Sequence, residues 1–133
     1  MRRGRLMVGL SALFAVAIAL SGCWFLPITL DEAADGSARS VEVGDTIDIR
    51  LTGNASTGYQ WIRIEPESFE GTPLEAIEEG EYKLEDPEVC GGPGVFTSRY
   101  RAVAPGTITL GFAYQRPWEE ESIDEFSVII WVQ

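Results

Sequence analysis

The sequence contains no histidine, and this absence excludes several enzyme mechanisms. Serine and cysteine hydrolases of the Ser-His-Asp or Cys-His type need an imidazole as their general base. Most catalytic zinc sites also use histidine ligands. The acidic residues are scattered and form no defined pair of the kind that glycosidases use. We therefore expect a protein that is not an enzyme and that needs no metal and no cofactor.

Basic residues are scarce as well. Ten Lys and Arg stand against 21 Asp and Glu, which gives a formal net charge of −11. Three of the ten, Arg2, Arg3 and Arg5, fall in the first five residues, so the rest of the chain is more acidic still. A nucleic-acid-binding protein needs a basic surface to meet phosphates. The composition therefore argues against a nucleic-acid partner.

The first 22 residues have the layout of a secretory signal. A positive start is followed by an apolar run, Leu6 to Leu20, that is too short to span a membrane comfortably. The run ends in Leu20-Ser21-Gly22-Cys23, which resembles the lipobox of bacterial lipoproteins. The resemblance implies cleavage before Cys23 and a lipid on Cys23. It also implies attachment to a membrane of the cell envelope, with the protein facing the extracytoplasmic side.

Two other interpretations of this segment stay open: an ordinary signal peptide and an uncleaved anchor. If Cys23 carries lipid, Cys90 has no disulfide partner, whereas otherwise a Cys23–Cys90 bridge is possible. Cys90 itself is either a small buried residue or an exposed thiol. We expect a signal peptide at 1–22, a lipidated tether with a first strand region at 23–40, and one monomeric domain at 41–133.

Residues after the tether have an apolar period of two, which is typical of strands with one face in a core. The clearest runs are Ile47 to Leu51, Ile108 to Tyr114 and Phe126 to Val132, and Val41 and Val43 also alternate with polar residues. The segment Leu74 to Leu84 is ambiguous, because its acidic residues and Ala76 favour a helix whereas Gly80 opposes one, and we predict a strand there. Turn residues separate the runs, so the pattern predicts an all-β, antiparallel sandwich of seven or eight strands.

Three turn-rich segments carry more specific information: Asn54-Ala55-Ser56-Thr57-Gly58-Tyr59-Gln60-Trp61, Gly91-Gly92-Pro93-Gly94 and Arg116-Pro117-Trp118. Together they resemble the chagasin family of cysteine protease inhibitors. Members of that family carry an N-P-[ST]-T-G-[YF]-x-W loop, a G-x-G-G loop and an R-P-W loop in the same order. The likeness extends over roughly residues 41–132.

This resemblance implies an immunoglobulin-like sandwich whose three loops form a wedge at one end. The wedge would reversibly fill the active-site cleft of a papain-like cysteine protease, the expected partner. Asn54 to Tyr59 would be the central loop, with the Thr57-Gly58 backbone against the catalytic cysteine. Gly91 to Gly94, here termed the second loop, and Arg116 to Trp118, the third loop, would flank it.

The chemistry of these loop residues suits such a role. The Asn, Ser and Thr side chains can bond to their own backbone, and Gly58 tolerates a positive φ. Pro117 fixes one φ angle, and Trp118 offers a large rigid anchor of the type enriched in interface hot spots. We expect Tyr59 and Trp61 in the core or at its margin, and Trp131 in the core or on a sheet surface.

Two residues depart from the family pattern. Ala55 stands where the family has proline, so the central loop loses one stiffening element. Pro93 stands where the family has glycine, which removes one N–H donor from the second loop. Both departures predict weaker or narrower inhibition. They also favour the alternative that the protein is a surface-binding or adhesion module that kept the fold and lost inhibition.

Overall fold

Eight strands account for most of residues 26–133, the part of the chain that the computed structural model describes. The strands are β1 Ile28–Leu30, β2 Ala38–Val41, β3 Thr46–Gly53, β4 Gln60–Glu65, β5 Leu74–Leu84, β6 Gly94–Ala102, β7 Gly106–Gln115 and β8 Ser122–Val132. The predicted signal peptide at 1–22 and the predicted lipidation site, Cys23, lie outside the described residues. Both therefore stay predictions.

The strands form two four-stranded sheets, in the orders β1-β3-β6-β5 and β2-β8-β7-β4. The prediction of an all-β sandwich is confirmed, but the sheets are mixed rather than purely antiparallel. β1 runs parallel to β3, and β2 runs parallel to β8. After β1 the chain reverses direction to form β2 in the other sheet, and it reverses again to form β3. β3 therefore runs in the same direction as β1, its neighbour in the first sheet.

The core lies between the sheets and is filled by alternate residues of the long strands. Ile47, Ile49 and Leu51 of β3 and Phe126, Val128, Ile130 and Val132 of β8 are all at most 3% exposed. Asp48 lies on the opposite side of β3 from these residues and is nevertheless buried, because Arg99 covers it through two hydrogen bonds of 2.7 and 2.8 Å. The alternation in the sequence therefore identified the inward face correctly.

Two segments had ambiguous patterns. The segment Leu74–Leu84 is a strand, as predicted, and its register shifts around Gly80, which has a φ of 74°. Val43 does not continue the strand of Val41, because β2 ends at Val41 and Val43 is exposed in the turn that follows. That turn is closed by a hydrogen bond of 3.0 Å from the Asp45 N–H to the Glu42 carbonyl.

The two ends of the sandwich carry different features. The three loops follow β3, precede β6 and follow β7, and the register of these strands places all three at one end, here termed the tip. The opposite end, here termed the base, includes the first residues of β3 and the last residues of β8. Over residues 26–133, no helix is long and apolar enough to cross a membrane.

Candidate functional site

The central loop is folded by its own side chains. Ala55–Thr57 form a single 3₁₀ turn that Asn54 caps, because the Asn54 side-chain oxygen accepts the Ser56 N–H at 3.0 Å. The Thr57 hydroxyl donates to the Asn54 carbonyl at 2.6 Å, and the Gly58 N–H donates to the Ala55 carbonyl at 3.0 Å. This bonding is the self-capping that the residue types predicted.

Gly58 ends the turn in the left-handed conformation, with a φ of 84°. A Cβ atom at this position would lie 2.7 Å from Cη2 of Trp118, which is far inside normal contact distance. Glycine at this position lets the backbone adopt the left-handed conformation, and its lack of a Cβ atom leaves room for the aromatic ring that lies over it. Trp118 itself is 71% exposed, so its ring covers Gly58 and still presents a large apolar surface to solvent.

Arg116 joins the third loop to the central loop. Its Nε donates to the Thr57 carbonyl at 3.1 Å, and its guanidinium lies 4.5 Å above the Tyr59 ring and 6.0 Å from the Trp118 ring. Nη1 of the same guanidinium donates to the Glu119 carboxylate at 3.2 Å. These contacts hold Arg116 in place between the central loop and the third loop.

The second loop is attached to the central loop by Asn54. The Asn54 side-chain amide donates to the Gly91 carbonyl at 3.0 Å. Gly91 has a φ of 75° and is exposed, as is Pro93, whereas Gly92 and Gly94 are buried. Gly94 is the first residue of β6, and a Cβ atom there would lie 2.4 Å from the Lys83 carbonyl oxygen. Gly91 and Pro93 are therefore the second-loop positions available to a partner.

Tyr114 supports the tip from below, whereas the alternation in Ile108 to Tyr114 predicted only that it lies on the core face of a strand. Its hydroxyl accepts the Asn54 backbone N–H at 2.8 Å. Its ring lies 5.0 Å from that of Trp61 and 5.3 Å from that of Tyr59. Trp61 is 7% exposed and Tyr59 is half-buried, which agrees with the prediction for both. A tyrosine at the last inward position before a loop was the available signal.

The surroundings of the second loop add two observations. A largely apolar hollow, lined by Ser56, Tyr82, Leu84, Pro87 and Gly91 among others, lies beside this loop. Cys90 is exposed and has no disulfide partner among residues 26–133, so the interpretation of Cys90 as a buried residue is wrong. Within residues 26–133, no group of His, Cys, Asp or Glu side chains could hold a metal ion.

Comparison with known proteins places this geometry in a family. The family model for the "Chagasin family peptidase inhibitor I42" matches residues 40–130, which include all three loops. The chain belongs to the chagasin family. This family consists of peptidase inhibitors rather than enzymes, and membership supports inhibition over the adhesion alternative.

Chagasin-family relatives match most of the described chain. Chagasin of Trypanosoma cruzi is 29% identical over 99 residues, which cover 70% of this chain and 84% of chagasin. Amoebiasin-2 of Entamoeba histolytica is 29% identical over 94 residues, which cover 68% of this chain and 72% of that protein.

Solved structures agree on the fold. The cysteine protease inhibitor EhICP2 from Entamoeba histolytica has a TM-score of 0.65 at 24% identity, over 80% of this chain and 94% of that one. PbICP-C, solved in complex with falcipain-2, has a TM-score of 0.51 at 26% identity, over 80% of this chain and 98% of that one.

Proposed function

We propose that this chagasin-family protein inhibits papain-like cysteine proteases by inserting its three loops into the active-site cleft. The central loop, with Thr57 and Gly58 at its apex, would lie against the catalytic cysteine. Gly91 and Pro93 would contact one wall of the cleft, and Trp118 the other. The observation that carries this proposal is the convergence of three loops on one tip, joined by the Arg116–Thr57 and Asn54–Gly91 hydrogen bonds.

The internal bonding of the tip favours tight association. A loop that is already ordered loses less conformational freedom on binding, and that saving appears as affinity. In the central loop the backbone is held by Asn54, Ser56 and Thr57, and the support continues into the core through Tyr114. We expect an interface of about 800 Å² on each partner, the size common to protease–inhibitor complexes.

The same bonding explains why the protease would not cleave the loop. Hydrolysis of the Thr57–Gly58 bond would require the Thr57 carbonyl oxygen to accept hydrogen bonds from the enzyme's oxyanion hole. In this protein that oxygen already accepts one bond from Arg116, which leaves only one of its two lone pairs for the donors of the oxyanion hole. The φ of 84° at Gly58 also gives the chain a turned shape in place of the extended one that a substrate presents. The loop would therefore occupy the cleft as an inhibitor.

The two tryptophans at opposite ends of the sandwich provide the test. Trp118 is 71% exposed at the tip, and Trp131 is 57% exposed on the outer face of β8 near the base. We expect Trp118→Ala to weaken inhibition of papain by at least about thirtyfold, a loss typical of a hot-spot tryptophan. Trp131→Ala is the matched control and should leave the inhibition constant unchanged. Equal effects of the two changes, or full papain activity at micromolar wild-type protein, would refute the proposal.

We further propose that a lipid on Cys23 holds the inhibitor on a membrane surface of the cell envelope. The support is the Leu20-Ser21-Gly22-Cys23 sequence after a short apolar run. Stable attachment takes more than one acyl chain, and lipoprotein cysteines receive several. Mass spectrometry of the N-terminal peptide should find acyl chains on Cys23, and Cys23→Ser should release the protein from the membrane fraction. An unmodified Cys23 in membrane-bound protein would rule this out.

A further inference from the structure

Exposed apolar side chains gather at the base as well as at the tip. Leu26 is 83% exposed, Val43 48%, Val103 43% and Trp131 57%. All four lie at the end opposite the three loops. Leu26 precedes β1, Val43 and Val103 occupy the turns after β2 and β6, and Trp131 is the last but one residue of β8. The inhibitory tip does not account for this second apolar end.

Backbone hydrogen bonds bring these base segments together. The Val43 N–H donates to the Gln133 carbonyl at 3.2 Å, and the neighbouring Gly44 N–H donates to the Ala102 carbonyl at 2.8 Å. The turns that carry Val43 and Val103 are therefore fixed beside each other and beside the end of β8. Their apolar side chains are presented by a rigid surface.

The chain also enters the sandwich at this end. β1 runs parallel to β3, and Ile28 pairs with Ile47 at the start of β3, so the residues before β1 approach from the base. Cys23 lies three residues before Leu26, and three residues span at most roughly 11 Å even when fully extended. A lipid on Cys23 would therefore hold the base, rather than the tip, within about 11 Å of the membrane surface.

We propose that the base docks on the lipid surface through Leu26, Val43, Val103 and Trp131, so that the tip points away from the membrane. Tryptophan and aliphatic side chains are the types that sit at a membrane interface. β3 alone contributes about 25 Å of length between the two ends, so the loops stand clear of the headgroups. This inference depends on the proposed lipid on Cys23 and not on protease inhibition.

Charge decides which lipid suits this surface. Glu42 and Asp45 flank Val43 in the base turn, and the Asp45 carboxylate accepts the Glu42 N–H at 2.8 Å. Two carboxylates beside the apolar residues favour zwitterionic headgroups and are repelled by anionic ones. We therefore expect docking on phosphatidylcholine, and weaker docking when phosphatidylglycerol is added at low salt. Salt should restore the docking by screening the repulsion.

The test measures how close each end lies to the membrane. Full-length acylated protein is placed in phosphatidylcholine vesicles that carry a nitroxide-labelled headgroup as a quencher. A fluorophore on the native thiol of Cys90 reports on the tip. In the matched variant, Cys90→Ser with Ser40→Cys, the fluorophore reports on the base, where Ser40 pairs with Trp131. We expect quenching of most of the fluorescence at the base and none at the tip.

A second variant separates docking from mere tethering. In the base-labelled protein, Val43, Val103 and Trp131 are each replaced by serine, which leaves the Cys23 lipid in place. We expect quenching of the base label to fall, because the domain is then free to tilt away. Unchanged quenching in this variant, or equal quenching at Cys90 and at the base, would overturn the docking proposal. So would a dimer that dissociates in the serine variant, since a second copy would then be the occupant.

Inhibition is measured on matched vesicles that carry the unlabelled wild-type protein, because a fluorophore on Cys90 would lie beside Gly91 of the second loop, and this measurement keeps the proposals apart. Loss of the tip–base difference with papain inhibition intact would refute the docking surface alone. Absence of inhibition with strong base quenching would refute the proposed function alone. An unacylated Cys23 would overturn both the anchoring proposal and the docking surface that depends on it.

Discussion

Replacement of Gly58 by alanine tests whether Gly58 and Trp118 act as one unit at the tip. The change introduces a Cβ atom at a φ of 84°, where it would lie 2.7 Å from Cη2 of Trp118. Two costs follow from this geometry. One is the strain of a left-handed non-glycine residue, roughly 1–2 kcal/mol. The other is displacement of the Trp118 ring.

These two costs should appear in different measurements. Trp118 is 71% exposed, so its ring can rotate into solvent with little effect on the free energy of unfolding. The stability loss of Gly58→Ala should therefore be close to the backbone strain alone, about 1–2 kcal/mol. If Trp118 contacts the protease as proposed, inhibition depends on where the ring lies, and it should weaken by about thirtyfold, the value for loss of a hot-spot tryptophan.

Gly71→Ala is the matched control for this change. Gly71 has a φ of 73° and no atom within 4 Å of an added Cβ, so only the backbone strain applies there. Urea unfolding of both variants should give similar losses, whereas papain titration should detect a change only in Gly58→Ala. Gly71→Ala with equally weakened inhibition would contradict this explanation.

A double variant checks the coupling directly. Once Trp118 is alanine, the added methyl group at Gly58 has no ring to displace, so Gly58→Ala should then have little further effect on inhibition. The two changes should be strongly non-additive, as expected for residues in contact. Additive effects would show that Gly58 and Trp118 act separately.

Three further predictions concern other parts of the described chain. Arg116→Lys keeps the charge but loses the fixed Nε–H bond to Thr57, and papain titration should show inhibition about tenfold weaker. Ala55→Pro should raise the unfolding free energy by about 0.4–1 kcal/mol and tighten inhibition up to about fivefold, since Ala55 begins the 3₁₀ turn. Burial of Glu32 disfavours its charged form and so raises its pKa, but hydrogen bonds to the carboxylate, above all the one from the Thr52 N–H, lower the pKa by more. The pKa of Glu32 therefore lies below its ordinary value. The resulting stability is fully present above pH about 4.5, the ordinary pKa, and is lost as the pH falls through the lowered pKa. In urea unfolding, the free energy of unfolding of Glu32→Gln should therefore fall less between neutral and acid pH than that of the wild type.

The strands were predictable because their signal is local. The alternation in Ile47–Leu51 and in Phe126–Val132 indicates which face of each strand is buried, and the buried face was assigned correctly in both strands. At Leu74–Leu84 the local signals were divided, since the acidic residues and Ala76 favoured a helix and Gly80 opposed it, and the predicted strand is confirmed. Val43 was misplaced because alternation does not show where a strand ends, and here a turn closed by the Asp45 N–H and the Glu42 carbonyl ends it.

The candidate site was predictable in its residues but not in its connections. Short-range rules anticipated the capped central loop and the positive φ of Gly58. The bond from Arg116 to Thr57 joins residues 59 positions apart, and that from Asn54 to Tyr114 joins residues 60 apart. No local pattern encodes such pairs, so the support that Tyr114 gives to the tip emerged only from the folded chain.

β1 and β2 protect the long strands β3 and β8, with which they pair in parallel. Without these two short strands, β3 in one sheet and β8 in the other would expose a row of unpaired backbone N–H and C=O groups. Such sheet edges recruit strands from other molecules and promote aggregation. The family match begins at residue 40, so most of this covering lies before it. The residues that lead from the predicted anchor into the domain thus also shield it from self-association.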